Sequence, residues 1–165
     1  MLCHGVGSRK QQQLDLARFL LEYGYNVMVF DFRGHGSSDG NSCSYGDRER
    51  LDVLAAAKQL KTRYPQKARR IVGVGVNTGA AALILAASDP QGGEIDALAL
   101  IEPFADFSQM AKEVARELLP AGLRQVFQRV SLPMASWHAG TRLDELAPGG
   151  AMDGLWPRPV LVLHG

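Results

Sequence analysis

Residues 71–88 carry the sharpest chemical signature in the chain. An apolar run, Ile71-Val72-Gly73-Val74, leads into the turn Gly75-Val76-Asn77-Thr78-Gly79 and then the small-residue run Ala80-Ala81-Ala82-Leu83-Ile84-Leu85-Ala86-Ala87. Strand, tight turn and helix in that order hold the turn's central residue at an exposed corner, where a serine becomes a nucleophile. The turn is sharp, so a Cβ at Gly75 or Gly79 would collide with the neighbouring strand or helix. The central residue here is Asn77. A side-chain amide is a poor nucleophile because its nitrogen lone pair is delocalised into the carbonyl. The layout of a reactive site is present; its reactive atom is not.

Two further motifs precede this turn. His4-Gly5-Val6-Gly7 follows the short apolar stretch Met1-Leu2-Cys3, and Asp31-Phe32-Arg33-Gly34-His35-Gly36-Ser37-Ser38 follows the apolar run at 25–30. Glu102 and Asp106 follow a later apolar run and have the chemistry to orient a base, but no suitable histidine accompanies them. No two histidines share i, i+4 spacing and no carboxylate joins them in a metal signature, so neither metal nor cofactor is expected. A competing reading takes Gly73, Gly75 and Gly79 as a Gly-x-Gly-x-x-x-Gly turn of nicotinamide-binding type, with Glu102 on a ribose hydroxyl. Its third glycine is one place late, and two strand–helix units come before it.

The elements that must position these residues alternate along the chain. Residues 11–22 place Leu14, Ala17 and Leu21 at helical spacing and end at Gly24, a natural C-terminal cap. Residues 25–30 read as a buried strand. Asp47 opens a helix with Val53, Ala57, Leu60 and Tyr64 on one face, stopped by Pro65. Residues 71–74 predict a strand, 78–88 a helix and 95–101 a strand. Residues 104–119 and 123–130 read as helices, 148–159 as a Gly/Pro-rich loop and 159–163 as a last strand. Repeated βα units with two-sided apolar strands imply a mostly parallel sheet covered by helices on both faces. Both ends read as cut, because Met1-Leu2-Cys3 is short for a strand and the chain stops where the last strand ends.

The 165 residues are enough for one domain with its own core, and 46% hydrophobic with 21% charged residues is an ordinary globular composition. Eighteen Lys and Arg against seventeen Asp and Glu leave a formal charge of +1, which gives no reason to expect nucleic-acid or membrane partners. No apolar segment approaches the roughly 20 residues of a membrane span, and no secretion signal is visible. Cys3 and Cys43 read as free thiols in a reducing cytosol, so a cytoplasmic location is expected.

The ordered combination of His4-Gly5-Val6-Gly7, Asp31-Phe32-Arg33-Gly34-His35-Gly36, the Asn77 turn and Pro159-Val160-Leu161-Val162-Leu163-His164-Gly165 resembles the α/β-hydrolase family, in its serine aminopeptidase and prolyl-oligopeptidase-like branch. The resemblance covers essentially the whole chain. It implies a three-layer α/β-hydrolase fold truncated at both ends, one partial domain over 1–165 with a small helical segment near 104–147. It implies hydrolysis of carboxylic esters or amides of small molecules through an acyl-enzyme. Asn77 stands at the serine position. Val6 and Thr78 supply the two backbone N–H groups of the oxyanion hole. His4, Gly5, Gly7, Asp31, Arg33, Gly34, Gly36, Gly75 and Gly79 shape the motifs. His164 matches a strand-end His-Gly and is not the catalytic base. The family's acid and histidine positions fall beyond Gly165. The expectation is therefore a chain without hydrolytic activity, or a non-catalytic pseudohydrolase that binds an acyl ligand or a partner. An acyl pocket over the turn would have Phe104, Met110 and Trp137 as walls, unless these pack as ordinary core.

Overall fold

Short apolar runs separated by helices build a parallel sheet, because a crossover helix returns each strand to the same direction. The computed structural model describes residues 1–165, the side chain of residue 128 excepted. Its strands are β1 (Leu2–Cys3), β2 (Val72–Val76), β3 (Ala97–Ile101) and β4 (Val160–Leu163), all parallel and hydrogen-bonded in the order β1-β2-β3-β4. Helices α1 (Leu14–Glu22), α2 (Glu49–Arg63), α3 (Thr78–Ser88), α4 (Phe107–Leu118) and α5 (Ala121–Ala139) connect and cover them.

Helix α3 is central. Its alanines, Leu83 and Ile84 are buried all round, as expected for a helix apolar on every face. It lies tight on β2 because β2 reads Val-Gly-Val-Gly-Val: a Cβ on Gly73 would stand 2.4 Å from Leu83 Cδ2. On its other sides α3 meets α2 and the stretch Pro148–Leu155. The main core joins Cys3, Phe32, Val53, Ile71, Leu83, Leu98 and Leu100. A second, smaller cluster unites Ala81 of α3 with Phe104, Phe107, Leu143 and Leu146, and α4 and α5 pack upon it.

Four expectations need correction. Residues 25–30 do not form a full strand: they run beside β1 with one bridge, Leu2 to Val29, and one bond from Leu2 N–H to the Met28 carbonyl at 2.9 Å. The neighbouring β1 offers two residues only, and Tyr25 is 58% exposed. Residues 148–155 are not open loop but a 3₁₀ helix whose Leu155 is buried against α3. Helix α5 does not stop near 130. It continues through Pro133, since Leu132, Ala135 and Ala139 still have core to pack on, and ends at Gly140 in the left-handed region (φ 64°). In α1, Ala17 is buried but Leu14 and Leu21 are exposed. Among the described residues, no helix is long and apolar enough to cross a membrane.

Burial acts on the thiols of this core. It pushes Cys3 up to about 12 and Cys43 up to about 11, Cys43 being further raised by the nearby Glu49 carboxylate. A protonated thiol is a weak nucleophile. Both cysteines are therefore expected to resist iodoacetamide near neutral pH in the folded chain and to be alkylated once guanidinium unfolds it, counted by mass spectrometry.

Candidate active site

The site is built where β2 hands over to α3. Asn77 sits between them at φ 50°, ψ −113°, a backbone conformation that L-residues rarely adopt. The strain is held by bonds on both sides: its N–H donates to the Ile101 carbonyl (2.8 Å), and its own carbonyl accepts from Ala80 (3.0 Å) and Ala81 (3.1 Å). Two glycines let the chain turn this tightly. A Cβ on Gly75 would stand 2.6 Å from Ala80 Cα, and one on Gly79 would stand 2.3 Å from the Cys3 carbonyl oxygen and 2.5 Å from that of His4. With Gly73 packed on Leu83, all three glycines face protein, so none opens a cradle for a pyrophosphate. That removes the basis of the nicotinamide reading.

The side chain of Asn77 does not project freely. Its Oδ1 accepts the Thr78 backbone N–H at 2.8 Å, so the residue caps α3 itself. Thr78 N–H is the donor that the resemblance assigns to an oxyanion. Here it is already bonded. The Thr78 hydroxyl is buried and has no hydrogen-bond partner among the described residues.

The loop at 4–7 lies against this turn. A Cβ on Gly5 would meet the Val76 carbonyl oxygen at 3.2 Å and Asn77 Cβ at 3.5 Å, which places the loop beside the elbow; Gly7 takes φ 68°. Val6, between them, is 46% exposed. His4 is fully buried and holds the loop to the next strand end: Phe32 N–H donates to its Nε2 (3.1 Å), and its Nδ1–H donates to the Gly5 carbonyl (2.8 Å). His35 does the same from outside, accepting Gly7 N–H at Nε2 (3.3 Å) and donating from Nδ1 to the Arg33 carbonyl (3.0 Å). Both rings have both nitrogens engaged. Neither is placed as a general base.

The turn at 31–38 is fixed by charge. Asp31 receives Lys10 Nζ (2.8 Å), Lys10 N–H (2.7 Å) and Ser37 N–H (3.1 Å), and a Cβ on Gly36 would sit on its carboxylate. Gly34 (φ 70°) is pinned against the Ser42 carbonyl. Arg33 forms a two-pronged pair with Asp52 of α2, Nη2 to Oδ1 at 2.7 Å and Nε to Oδ2 at 3.0 Å. Lys10 and Asp52 were not singled out in the sequence. Nor were Glu49 and Ser44: the buried Glu49 carboxylate takes Ser44 Oγ–H (2.6 Å), Ser44 N–H (2.9 Å) and Gly46 N–H (2.8 Å). Glu49 lies five positions after Ser44 and not the three of a capping box, so no local pattern announced the pair.

The remaining candidates separate. Asp106 is the N-cap of α4, accepting Gln109 N–H at 2.9 Å. Glu102 ends β3 as Asn77 ends β2, on neighbouring strands and also at φ 50°. Phe104 and Met110 pack in the second cluster, whereas Trp137 is 86% exposed and forms no wall with them. Asn77 has no hydrogen bond to His138 or His164 among the described residues.

Residues 1–146, most of the chain, match the sequence model of the family described as serine aminopeptidase, S33. The chain belongs to that family. It is 30% identical over 172 residues to the uncharacterized protein YqkD of Bacillus subtilis (strain 168), covering 99% of this chain and 53% of that protein. It is 32% identical over 111 residues to lysophosphatidylserine lipase ABHD12 of Danio rerio, covering 66% of this chain and 28% of that one. Among solved structures, Pyrococcus furiosus esterase Pf2001 superposes with a TM-score of 0.71 at 27% identity over 98% of this chain and 58% of that chain. The architecture is the α/β-hydrolase fold. The chain spans about half the length, or less, of the curated relatives it matches.

Three outcomes test this geometry. Asn77→Ala loses the cap and puts a residue less tolerant of positive φ at the corner, so it is expected to destabilise by about 1 kcal/mol or more in urea melts and to speed hydrogen exchange at Thr78 N–H. Gly79→Ala drives a methyl into two backbone carbonyls and should cost roughly 1–3 kcal/mol or more by the same melts. Burial lowers the His4 value below 6.5, so the folded chain binds fewer protons there than the unfolded one. Burial alone would raise the Asp31 carboxyl, but the bonds from Lys10 and Ser37 outweigh it and hold it below 3.8. Both groups therefore contribute stability at higher pH: the urea midpoint should fall first below pH 6.5, as His4 must charge, and again below pH 3.8.

Proposed function

We propose that this chain carries the elbow and the oxyanion loop of an ester-hydrolysing site, with Asn77 in the place of its nucleophile and no free histidine base beside it. The single observation behind this reading is the bond from Thr78 N–H to Asn77 Oδ1 at 2.8 Å. A serine Oγ at that corner would attack an acyl carbon, and the Val6 and Thr78 N–H groups would receive the oxyanion, each worth about 2.7–4 kcal/mol. Asn77 removes the nucleophile and occupies one donor. His4 and His35 have no nitrogen free to accept a proton from a hydroxyl at the corner. Carboxylic esters are the favoured substrate class of the lineage, since an esterase and a lysophospholipid lipase are among its relatives; small amides are the alternative.

A second reading, an acyl-binding pseudohydrolase, rests on a cleft between the 34–45 segment and α5. Gly34, His35, Tyr45, Ala135 and His138 line it, and it needs no nucleophile to hold a ligand.

Incubation with p-nitrophenyl acetate tests the first reading. Neither the chain nor Asn77→Ser is expected to release a stoichiometric burst of p-nitrophenol. A burst from the unaltered chain would overturn the assignment of Asn77 at the nucleophile position, and one from Asn77→Ser would overturn the expectation that this chain has no base to activate a serine there. Saturable binding of octanoate by calorimetry, without turnover, would favour the second reading.

A further inference from the structure

Helix α5 has two apolar faces, and residues 1–165 cover one of them. Leu132, Ala135 and Ala139 pack into the second core cluster. On the opposite side Leu123, Val126, Phe127, Val130, Met134 and Trp137 fall on one helical stripe and are 42–86% exposed. At 1.5 Å per residue this stripe is about 21 Å long. Single exposed apolar side chains are ordinary, but an uninterrupted helical stripe of six marks an interaction surface.

Charge identifies the occupant. The near-balance of the whole chain is not shared by this segment: from Pro120 to Thr141 there is no Asp or Glu, while Arg124 and Arg129 stand on the helix. By helical position the two arginines fall on either side of the apolar stripe. Arg124 donates to the carbonyls of Leu119 (2.9 Å) and Arg116 (2.9 Å), and neither arginine has a carboxylate partner among the described residues. The nearest acids along the chain are Glu117, on α4, and Asp144, which pairs with Arg142. A second copy of this chain would bring the same arginines against one another with no carboxylate on the face to meet them. Phosphate headgroups meet them directly, and acyl chains receive the stripe.

We propose that α5 lies in the plane of an anionic lipid surface, its outward stripe entering the headgroup–acyl boundary and Arg124 and Arg129 resting among the phosphates. Such a helix docks about 5–10 Å deep and does not span. Trp137, the most exposed residue of the stripe, has the amphipathic ring that favours this boundary. The inference stands apart from the hydrolytic reading, because it uses no residue of the elbow.

Vesicles of phosphatidylglycerol and phosphatidylcholine in equal parts provide the test, with Trp156→Phe leaving Trp137 as the sole tryptophan, excited selectively over tyrosine. The expected result is a blue shift, quenching by brominated acyl chains, co-sedimentation with the vesicles, and weakening of all three by salt or by pure phosphatidylcholine. Val130→Asp with Met134→Asp should lower partitioning at least ~10-fold, and Arg129→Glu by about fivefold or more. All three residues are exposed, so circular dichroism should not change; were the double variant to unfold, Arg129→Glu decides. An unshifted Trp137 spectrum, binding indifferent to these variants, or a lipid-free dimer that buries Trp137 would overturn the proposal.

Discussion

The close passage of Gly79 beneath the carbonyls of Cys3 and His4 is the constraint on which the rest of the site depends. A side chain there would stand 2.3 Å from one backbone oxygen and 2.5 Å from the other. Because there is none, the first turn of α3 reaches the end of β1. The loop at 4–7 is thereby brought beside Asn77, and β2 can end in a corner and not in a wide loop. Gly73 and Gly75 continue the same contact along β2, which explains why a helix of alanines can be buried all round. Close packing of this kind tolerates almost no added volume.

Asn77 answers two local demands at once. The corner imposes a positive φ, which asparagine tolerates better than most residues, and the start of α3 needs an acceptor for its free N–H groups. Its carbonyl oxygen meets the second demand through Thr78 N–H. The same N–H is the donor that the proposed hydrolytic reading gives to an oxyanion. On that reading, helix capping and oxyanion binding draw on one hydrogen-bond donor.

Around this corner the polar groups act as scaffold. His4 ties the first loop to Phe32, His35 ties it to the 31–38 turn, Asp31 gathers Lys10 and Ser37, and Arg33 anchors that turn to α2 through Asp52. Each buried charge is matched by several donors, as low dielectric surroundings require. The histidines' lack of free nitrogen follows from this role.

Much was legible in the residue order. Apolar runs alternating with helical spacing dictated a parallel α/β sheet, and Gly75-Val76-Asn77-Thr78-Gly79 located the corner, because strand–turn–helix geometry is a short-range property of backbone sterics. The limits of that reading are equally physical. Whether 25–30 becomes a strand depends on the partner beside it, and β1 offers two residues. Whether 148–155 is loop or helix depends on α3 being there to cover it. Lys10 with Asp31, and Arg33 with Asp52, meet across 21 and 19 positions of sequence. The sequence by itself determined the architecture and the identity of the residue at the corner, since both follow from local pattern and covalent chemistry. Only the tertiary structure decided that Asn77 turns its oxygen onto Thr78 N–H, that His4 and His35 are spent as struts, and that one apolar face of α5 is left outside, because each depends on which distant surfaces come into contact.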